Sequence, residues 1–382
     1  MSKIILVANT DWYLYNFRLS LAKFLRDQGF DVALVSPSGR FASLMQEAGF
    51  HWIEWDLGRQ TLAPWKELLA IMHLARIYRR EQVDLVHHFT VKPVLYGSLA
   101  AWLLGVKNVA NSVTGLGFVF LSQETKARLL REPVKTLYRL AFGHPNCAII
   151  FENDSDRQYL IDQRVIRSQQ TWLIQGVGID PNYFSPLPEP AGMAVIVLPA
   201  RMLWDKGVGV LVEAARLLRQ KTRARVVLVG EPDPGNPASI PQSTIQGWVH
   251  EGIIEWWGWQ TDMRNVYADC HVVTLPSFGE GVPTVLLEAA ACARPIVTTD
   301  VAGCRDVVEN GVNGLVVPPN DAPALADALG KLINDPALRI KMGAMGRQRV
   351  LEKYTNTHVN AATLEVYQAL LEHGNRNPSS SD

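Results

Sequence analysis

Cys270-His-Val-Val-Thr-Leu-Pro-Ser-Phe-Gly-Glu-Gly-Val-Pro-Thr-Val-Leu-Leu-Glu288 opens as a short apolar run, breaks at a Gly/Pro-rich loop, and continues into residues that favour helix. Strand, tight loop and helix start form the geometry that offers free backbone N–H groups to a phosphate. Glu280 sits in the loop. Glu288 is expected two turns into the helix, so the two carboxylates address different parts of one elongated ligand. Sugar hydroxyls at one end, ribose hydroxyls further along and a diphosphate between would match that spacing. The competing interpretation of Glu280 is an acidic helix start favoured by the dipole.

Outward from this stretch, strand and helix patterns alternate along the whole chain. Before it, strands are expected at 3–9, 31–36, 51–55, 83–88, 107–113 and 146–152. Helices are expected at 16–28, 40–48, 65–81, 93–104, 123–142 and 154–162. Residues 181–192 carry four prolines and are the expected linker. The pattern then restarts at 194–200 and runs to helices at 322–333, 336–353 and 357–372. Short apolar runs between helices imply parallel sheets covered on both faces. The expected class is α/β, with two Rossmann-like domains, 1–180 and 193–353, facing a cleft. A tail at 373–382 is expected to be disordered. Ligands of open parallel sheets bind at the carboxyl ends of the strands, so chemistry should follow strands.

Composition narrows the function classes. A 48% apolar and 19% charged chain of 382 residues is long enough for two ordered domains. With 37 basic and 37 acidic residues, a nucleic-acid binder working through bulk charge is excluded. Residues 1–180 hold 20 basic and 16 acidic groups against 17 and 21 in the remainder, so the first half is slightly basic. Four scattered cysteines form no CxxC pair and read as buried residues of a reducing cytoplasm. The N-terminal apolar run is too short for a signal peptide, and no stretch suits a membrane span. Any membrane contact is expected to be peripheral.

Other strand ends carry further candidates. In Pro199-Ala-Arg-Met-Leu-Trp-Asp-Lys-Gly207, Arg201 and Lys206 place two cations beside a helix start, which suits a diphosphate. A solvated loop with two surface charges is the plain alternative. Gly230, Glu231 and Trp259 could line a nucleotide pocket, with Gly281, Val282, Pro283 and Thr284 as the backbone cradle. Trp256 and Trp257 read as core, and the carboxylates of Asp300–Asp306 as helix caps. No Asp-x-Asp pair suits a divalent cation, so catalysis without metal or cofactor is expected.

In the first half, Asn16 and Arg18 follow the first strand without a Gly-x-Gly-x-x-Gly. They could position a second substrate or simply start a helix. His87 and His88 alternate faces of their strand, so one could face a ligand, with Lys92, Gly115 and Gly117 beyond. The segment 123–142 is amphipathic and carries Arg128, Arg131, Lys135 and Arg139. It reads either as an interfacial helix for anionic lipid or as a surface helix on its own sheet. Trp65 to Arg80 is a second, less basic candidate.

Arg201, Lys206, Gly230-Glu231, the Glu280-x7-Glu288 element and Gly303 together resemble glycosyltransferase family 4, retaining enzymes of the GT-B fold. Asn-Phe-Arg18, the His-Phe-Thr-Val-Lys-Pro93 run and Val-Thr-Gly-Leu-Gly117 look like the branch that extends polyprenyl-diphosphate-linked saccharides. The resemblance implies that Glu280 lies at the donor sugar, Glu288 at ribose, and Arg201 and Lys206 at the donor diphosphate. It also implies that the last helix crosses back to the first domain. Many relatives have a histidine in the loop matching Thr114–Gly117, and this chain has none. The implied function is transfer of a hexose or N-acetylhexosamine from a nucleotide sugar, UDP-linked, to a lipid-linked saccharide at the cytoplasmic membrane face. A soluble small-molecule glycosyltransferase, a GT-B 2-epimerase and a non-catalytic sugar-nucleotide binder stay open as alternatives.

Overall fold

Runs such as Val195–Pro199 are buried at every position, which requires cover on both faces of the sheet they form. The structure, a computed structural model, describes residues 1–58, 64–115, 120 and 125–376. Its strands are β1 Lys3–Val7, β2 Asp31–Ser36, β3 His51–Glu54, β4 Leu85–Phe89, β5 Asn108–Val113, β6 Cys147–Phe151 and β7 Thr171–Leu173, then β8 Val195–Pro199, β9 Arg225–Val229, β10 Glu255–Gly258, β11 Val272–Leu275, β12 Ile296–Thr299 and β13 Gly314–Val317. They form two parallel sheets, in the orders β3-β2-β1-β4-β5-β6-β7 and β10-β9-β8-β11-β12-β13. In each, the order reverses beside the first strand, at β1/β4 and at β8/β11. Such a reversal is a topological switch point, where strand-end loops diverge and leave room for a ligand.

The chain divides into two compact units: residues 1–178 with those from Asn356 onward, and Ile179–Thr355. Each has its own apolar layers on the two faces of its sheet. The long helix Asn356–Arg376 belongs to the first unit and packs Val366, Tyr367 and Leu370 into it.

Several elements differ from the sequence expectations. The proline-rich segment 181–192 is part of the second unit rather than a free linker. Glu189 takes both Nε and Nη2 of buried Arg339 at 2.8 Å, and the Pro188 and Phe184 carbonyls accept from Arg294 and Arg347 at 2.9 and 2.6 Å. The strand β7 was not expected. The expected helix 16–28 is a π-helical turn, Leu14–Arg18, followed by an α-helix, Leu19–Asp27. The last helix extends to Arg376, and 377–382 lie outside the described residues.

Candidate functional site

The second unit's switch point brings together the loops after β8 and β11. Phe278 N donates to Asp205 O at 2.9 Å, and Ser277 Oγ donates to the same carbonyl at 3.1 Å. Close approach depends on two glycines. A Cβ on Gly207, which has φ +73°, would sit 1.9 Å from Pro276 O; one on Gly303 would sit 1.5 Å from Gly281 O. No side chain could be accommodated at either position without moving backbone.

Into this junction project the two groups singled out by sequence. Lys206 Nζ donates to Glu280 Oε1 and Oε2 at 2.7 and 2.8 Å, with side chains 21% and 10% exposed. A cation and a carboxylate 74 positions apart thus share one partly open site. The helices Val208–Arg219 and Thr284–Ala291 begin here, and neither has a side-chain cap. Their first N–H groups remain available to an anion. Gly281, Val282 and Pro283 form the buried lead-in to the second of these helices, which Thr284 begins.

Glu288 lies a little over one turn into its helix rather than two, and half-buried. The Tyr267 hydroxyl donates to Glu288 Oε2 at 2.7 Å, and buried Arg294 holds the Tyr267 carbonyl at 2.7 Å. Burial pushes the Glu288 carboxyl up to about 7, against the pull of the Tyr267 hydrogen bond. Sequence reading missed Tyr267, which lies on the helix Met263–Ala268, Arg294, which precedes β12, and Asp233, which lies just beyond Gly230-Glu231 after β9. Arg201 is 57% exposed and pairs with Asp233 at 2.8 Å. Glu231 accepts from Trp259 N at 3.2 Å, and the Trp259 ring is exposed. Gly230 N donates to Gly258 O at 2.8 Å, joining the ends of β9 and β10. Trp256 and Trp257 pack against core, as expected. Asp300 does not cap the following helix; it accepts from Arg305 at 2.6 Å.

The first unit treats its candidates differently. His87 and His88 do point to opposite faces, but both are buried, so neither is available to a ligand. His87 is held by the Tyr367 hydroxyl at 2.5 Å and Ser112 Oγ at 2.8 Å; His88 by the Tyr78 hydroxyl and Asn111 Oδ1, both at 2.8 Å. Desolvation lowers both, His88 to about 4, and keeps the rings neutral. Arg18 is buried too. It stacks over Phe89 at 4.3 Å, donates to the Tyr13 hydroxyl at 2.8 Å, and lies 3.9 Å from Glu152. Asn16 is exposed, with its amide on Trp12 O at 2.8 Å. Lys92 donates to Gly58 O at 2.9 Å and to Glu67 at 3.2 Å. Gly115 lines a cavity of about 80 Å³ with Thr90, Val94, Ser112 and Tyr138. Gly117 and the Arg128 side chain lie outside the described residues.

The helix Thr125–Phe142 turns one of its basic groups inward and leaves another exposed. Lys135 is buried and bonded to Glu132 and Gln163 at 2.8 and 2.5 Å; Arg139 donates to the Arg164 and Gln163 carbonyls at 3.2 and 3.3 Å. Arg131 is half-buried. Among the described residues, no group of three or more His, Cys, Asp or Glu is placed to hold a metal ion.

Comparison with known proteins fits this division into two units. The family model for "Glycosyl transferase 4-like" matches residues 3–153, and that for "Glycosyl transferases group 1" matches 194–335, so that together they span more than half of the chain. An N,N'-diacetylbacillosaminyl-diphospho-undecaprenol alpha-1,3-N-acetylgalactosaminyltransferase of Campylobacter jejuni is 26% identical, over 94% of this chain and 96% of its own. A UDP-Gal:alpha-D-GlcNAc-diphosphoundecaprenol alpha-1,3-galactosyltransferase of Escherichia coli is 24% identical, over 85% and 86%. A solved glycosyltransferase of Rickettsia africae superposes with a TM-score of 0.78 at 20% identity, covering 97% and 99% of the two chains. Anabaena HepE in complex with UDP gives 0.77 at 18% identity, covering 96% and 100%. The two doubly wound sheets are those of the GT-B architecture, and the chain belongs to the group 1, family 4-like glycosyltransferases as a hexosyltransferase.

Proposed function

We propose that this enzyme moves a hexose or N-acetylhexosamine from a UDP-sugar to a polyprenyl-diphosphate-linked saccharide, with retention at the anomeric carbon, in assembly of a cell-surface glycan. The observation that carries the donor half is the Lys206–Glu280 pair beside two uncapped helix starts. A diphosphate at those N–H groups would lie next to Lys206, with Arg201 at the rim. Positive charge placed where the leaving diphosphate gains negative charge is a large catalytic term. Glu280 would face the transferred sugar while steadying Lys206. Glu288, held by Tyr267, would accept from the ribose hydroxyls. Gly230, Glu231 and Trp259 would border the base.

The acceptor half is supported by relatives named for undecaprenyl-diphosphate-linked sugars. In this proposal Asn16, Lys92 and the Gly115 cavity contribute on the first unit, whereas His87, His88 and Arg18 act as its internal supports. The enzyme works without metal or cofactor, peripherally on the cytoplasmic face of the membrane. The test is a donor screen against a short-chain polyprenyl-diphosphate-GlcNAc, with the anomeric configuration of the product read by NMR. Transfer to that acceptor with retention supports the proposal. Transfer only to soluble sugars, inversion, or UDP-sugar epimerisation without acceptor overturns it.

A further inference from the structure

The helix Pro64–Glu81 covers the first unit's sheet with one face and is apolar on the other as well. Ala70, Leu74, Ile77 and Tyr78 are buried, and Ala70 O accepts from the Trp55 indole at 2.9 Å. A surface helix fixed in this way should expose polar side chains. This one exposes Trp65 by 66%, Leu68 and Leu69 by 57% each, and Met72 by 40%. At about 100° per residue, these four lie within an arc of roughly 100° on the outward side. The same arc continues into Arg76, Arg79 and Arg80, all exposed. An apolar half followed by a cationic half on one solvent-facing stripe is the pattern of a helix lying in a membrane interface.

The stripe's position within the unit favours that occupant. The helix precedes β4 and therefore runs from the ligand end of the sheet toward the opposite edge. Its first turn is tied to that ligand end, because Glu67 pairs with Lys92, just past the end of β4. Exposed Val91 adjoins Lys92 there. The apolar half thus lies at the end of the unit where an acceptor would bind, and the arginines complement anionic headgroups. Among the described residues, no helix is long and apolar enough to cross a membrane, so insertion would be shallow.

We propose that Trp65, Leu68, Leu69 and Met72 seat this enzyme on an anionic bilayer. The inference rests on the lipid-linked acceptor proposed above for its purpose, but its test does not. Wild type and a Leu68→Gln/Leu69→Gln/Met72→Gln variant are sedimented with vesicles of phosphatidylglycerol and phosphatidylethanolamine, and with phosphatidylcholine alone. An Ile340→Gln/Leu351→Gln variant removes exposed apolar groups from the second unit as a control. The stripe variant should partition to anionic vesicles at least roughly ten-fold less, from the apolar area it no longer buries, and the control should match wild type. Arg76→Glu/Arg79→Glu should weaken binding mainly at low salt.

All four native cysteines are buried, so a fluorophore on Leu69→Cys reports this stripe selectively. Its emission should shift to the blue on anionic vesicles. Equal partitioning of a folded stripe variant, wild type left in the supernatant at low salt, or a blue shift that comes from concentration-dependent dimerisation without vesicles overturns the proposal. Activity on a detergent-dispersed lipid-linked acceptor separates the two readings. Vesicle binding through the stripe without use of that acceptor would sink the function proposed above and leave this surface standing. Use of the acceptor with unchanged vesicle binding in the variant would do the reverse.

Discussion

The two switch points of this molecule carry similar residues in opposite states. At β8/β11, Lys206 and Glu280 meet in a partly open site. At β1/β4, Arg18 stacks over Phe89 at the end of β4 and under Tyr13, and lies 3.9 Å from Glu152 at the end of β6, with the two side chains only 7% and 8% exposed. Both pairs follow strands, and both place a cation at the ligand end of a parallel sheet. The open pair can exchange its partner for a phosphate. The buried pair would have to lose its stacking and hydrogen bonds to do so, leaving a desolvated carboxylate behind. A strand-end position therefore identifies where a ligand can approach, and burial decides which of the two cations is open to one.

The largest effect should come from the open pair. Lys206→Ala is expected to lower kcat by about 2–4 kcal/mol of transition-state stabilisation, with a thermal midpoint near that of wild type. Arg201→Ala should cost less, because Arg201 is 57% exposed and already shared with Asp233. If Arg201→Ala proves the more damaging, Lys206 is not the principal diphosphate cation. The closed region should respond in stability instead. His88 has its folded-state value lowered to about 4 from 6.5, so the unfolded chain binds the proton more readily. Its contribution is complete above pH 6.5 and is lost as pH falls toward 4, a change of roughly 3 kcal/mol. Urea unfolding at a series of pH values measures it. His88→Gln should remove the His88 share of that dependence and leave the share of His87, which burial also lowers, while kcat per folded molecule at neutral pH stays near wild type; a collapse of kcat in the folded variant would return His88 to the reacting groups.

Legibility followed the range of the signals. Strands, helices and the Glu280-x7-Glu288 element were readable because Gly, Pro and apolar period act over a few residues. The adjacency of Lys206 and Glu280 was not, since it arises from β11 lying beside β8 across 74 positions. The fate of His87 and His88 was hidden for the same reason: Tyr367 and Tyr78 close over them from other helices. The prolines of 181–192 suggested freedom, yet Arg294, Arg339 and Arg347, all more than a hundred positions away, hold that segment. Lys135 shows the limit of helical patterning. The period located the amphipathic helix, but Gln163 drew the charge inward.

A smaller effect would sharpen the account of Glu288, a carboxylate that burial sets near neutrality. Its free-state value is about 7. Ribose hydroxyls donate, so the proposed contact favours the ionised form. UDP affinity should then hold above pH 7 and fall by up to about ten-fold per unit below it. Titration calorimetry of wild type and Glu288→Gln, compared at each pH, cancels the titration of UDP itself. Parallel profiles for the two proteins would remove the ribose assignment.

The smallest expected effect is from chelation, and it probes what supplies charge at the open site. Lys206 lies beside two helix starts whose N–H groups are uncapped, and Arg201 stands at the rim. Together these place fixed positive charge where a diphosphate would depart, so a divalent cation has little left to neutralise. The nearest carboxylate, Glu280, is already engaged by Lys206 through both oxygens, which leaves it poorly placed as a metal ligand. Turnover in excess EDTA should therefore equal turnover in magnesium. Loss of activity on chelation with rescue by magnesium or manganese would mean that Lys206 and Arg201 do not neutralise the leaving group by themselves. Lys206→Ala separates the cases further. If magnesium restores activity to that variant but adds nothing to wild type, the side chain and the ion are doing the same electrostatic work at the same place.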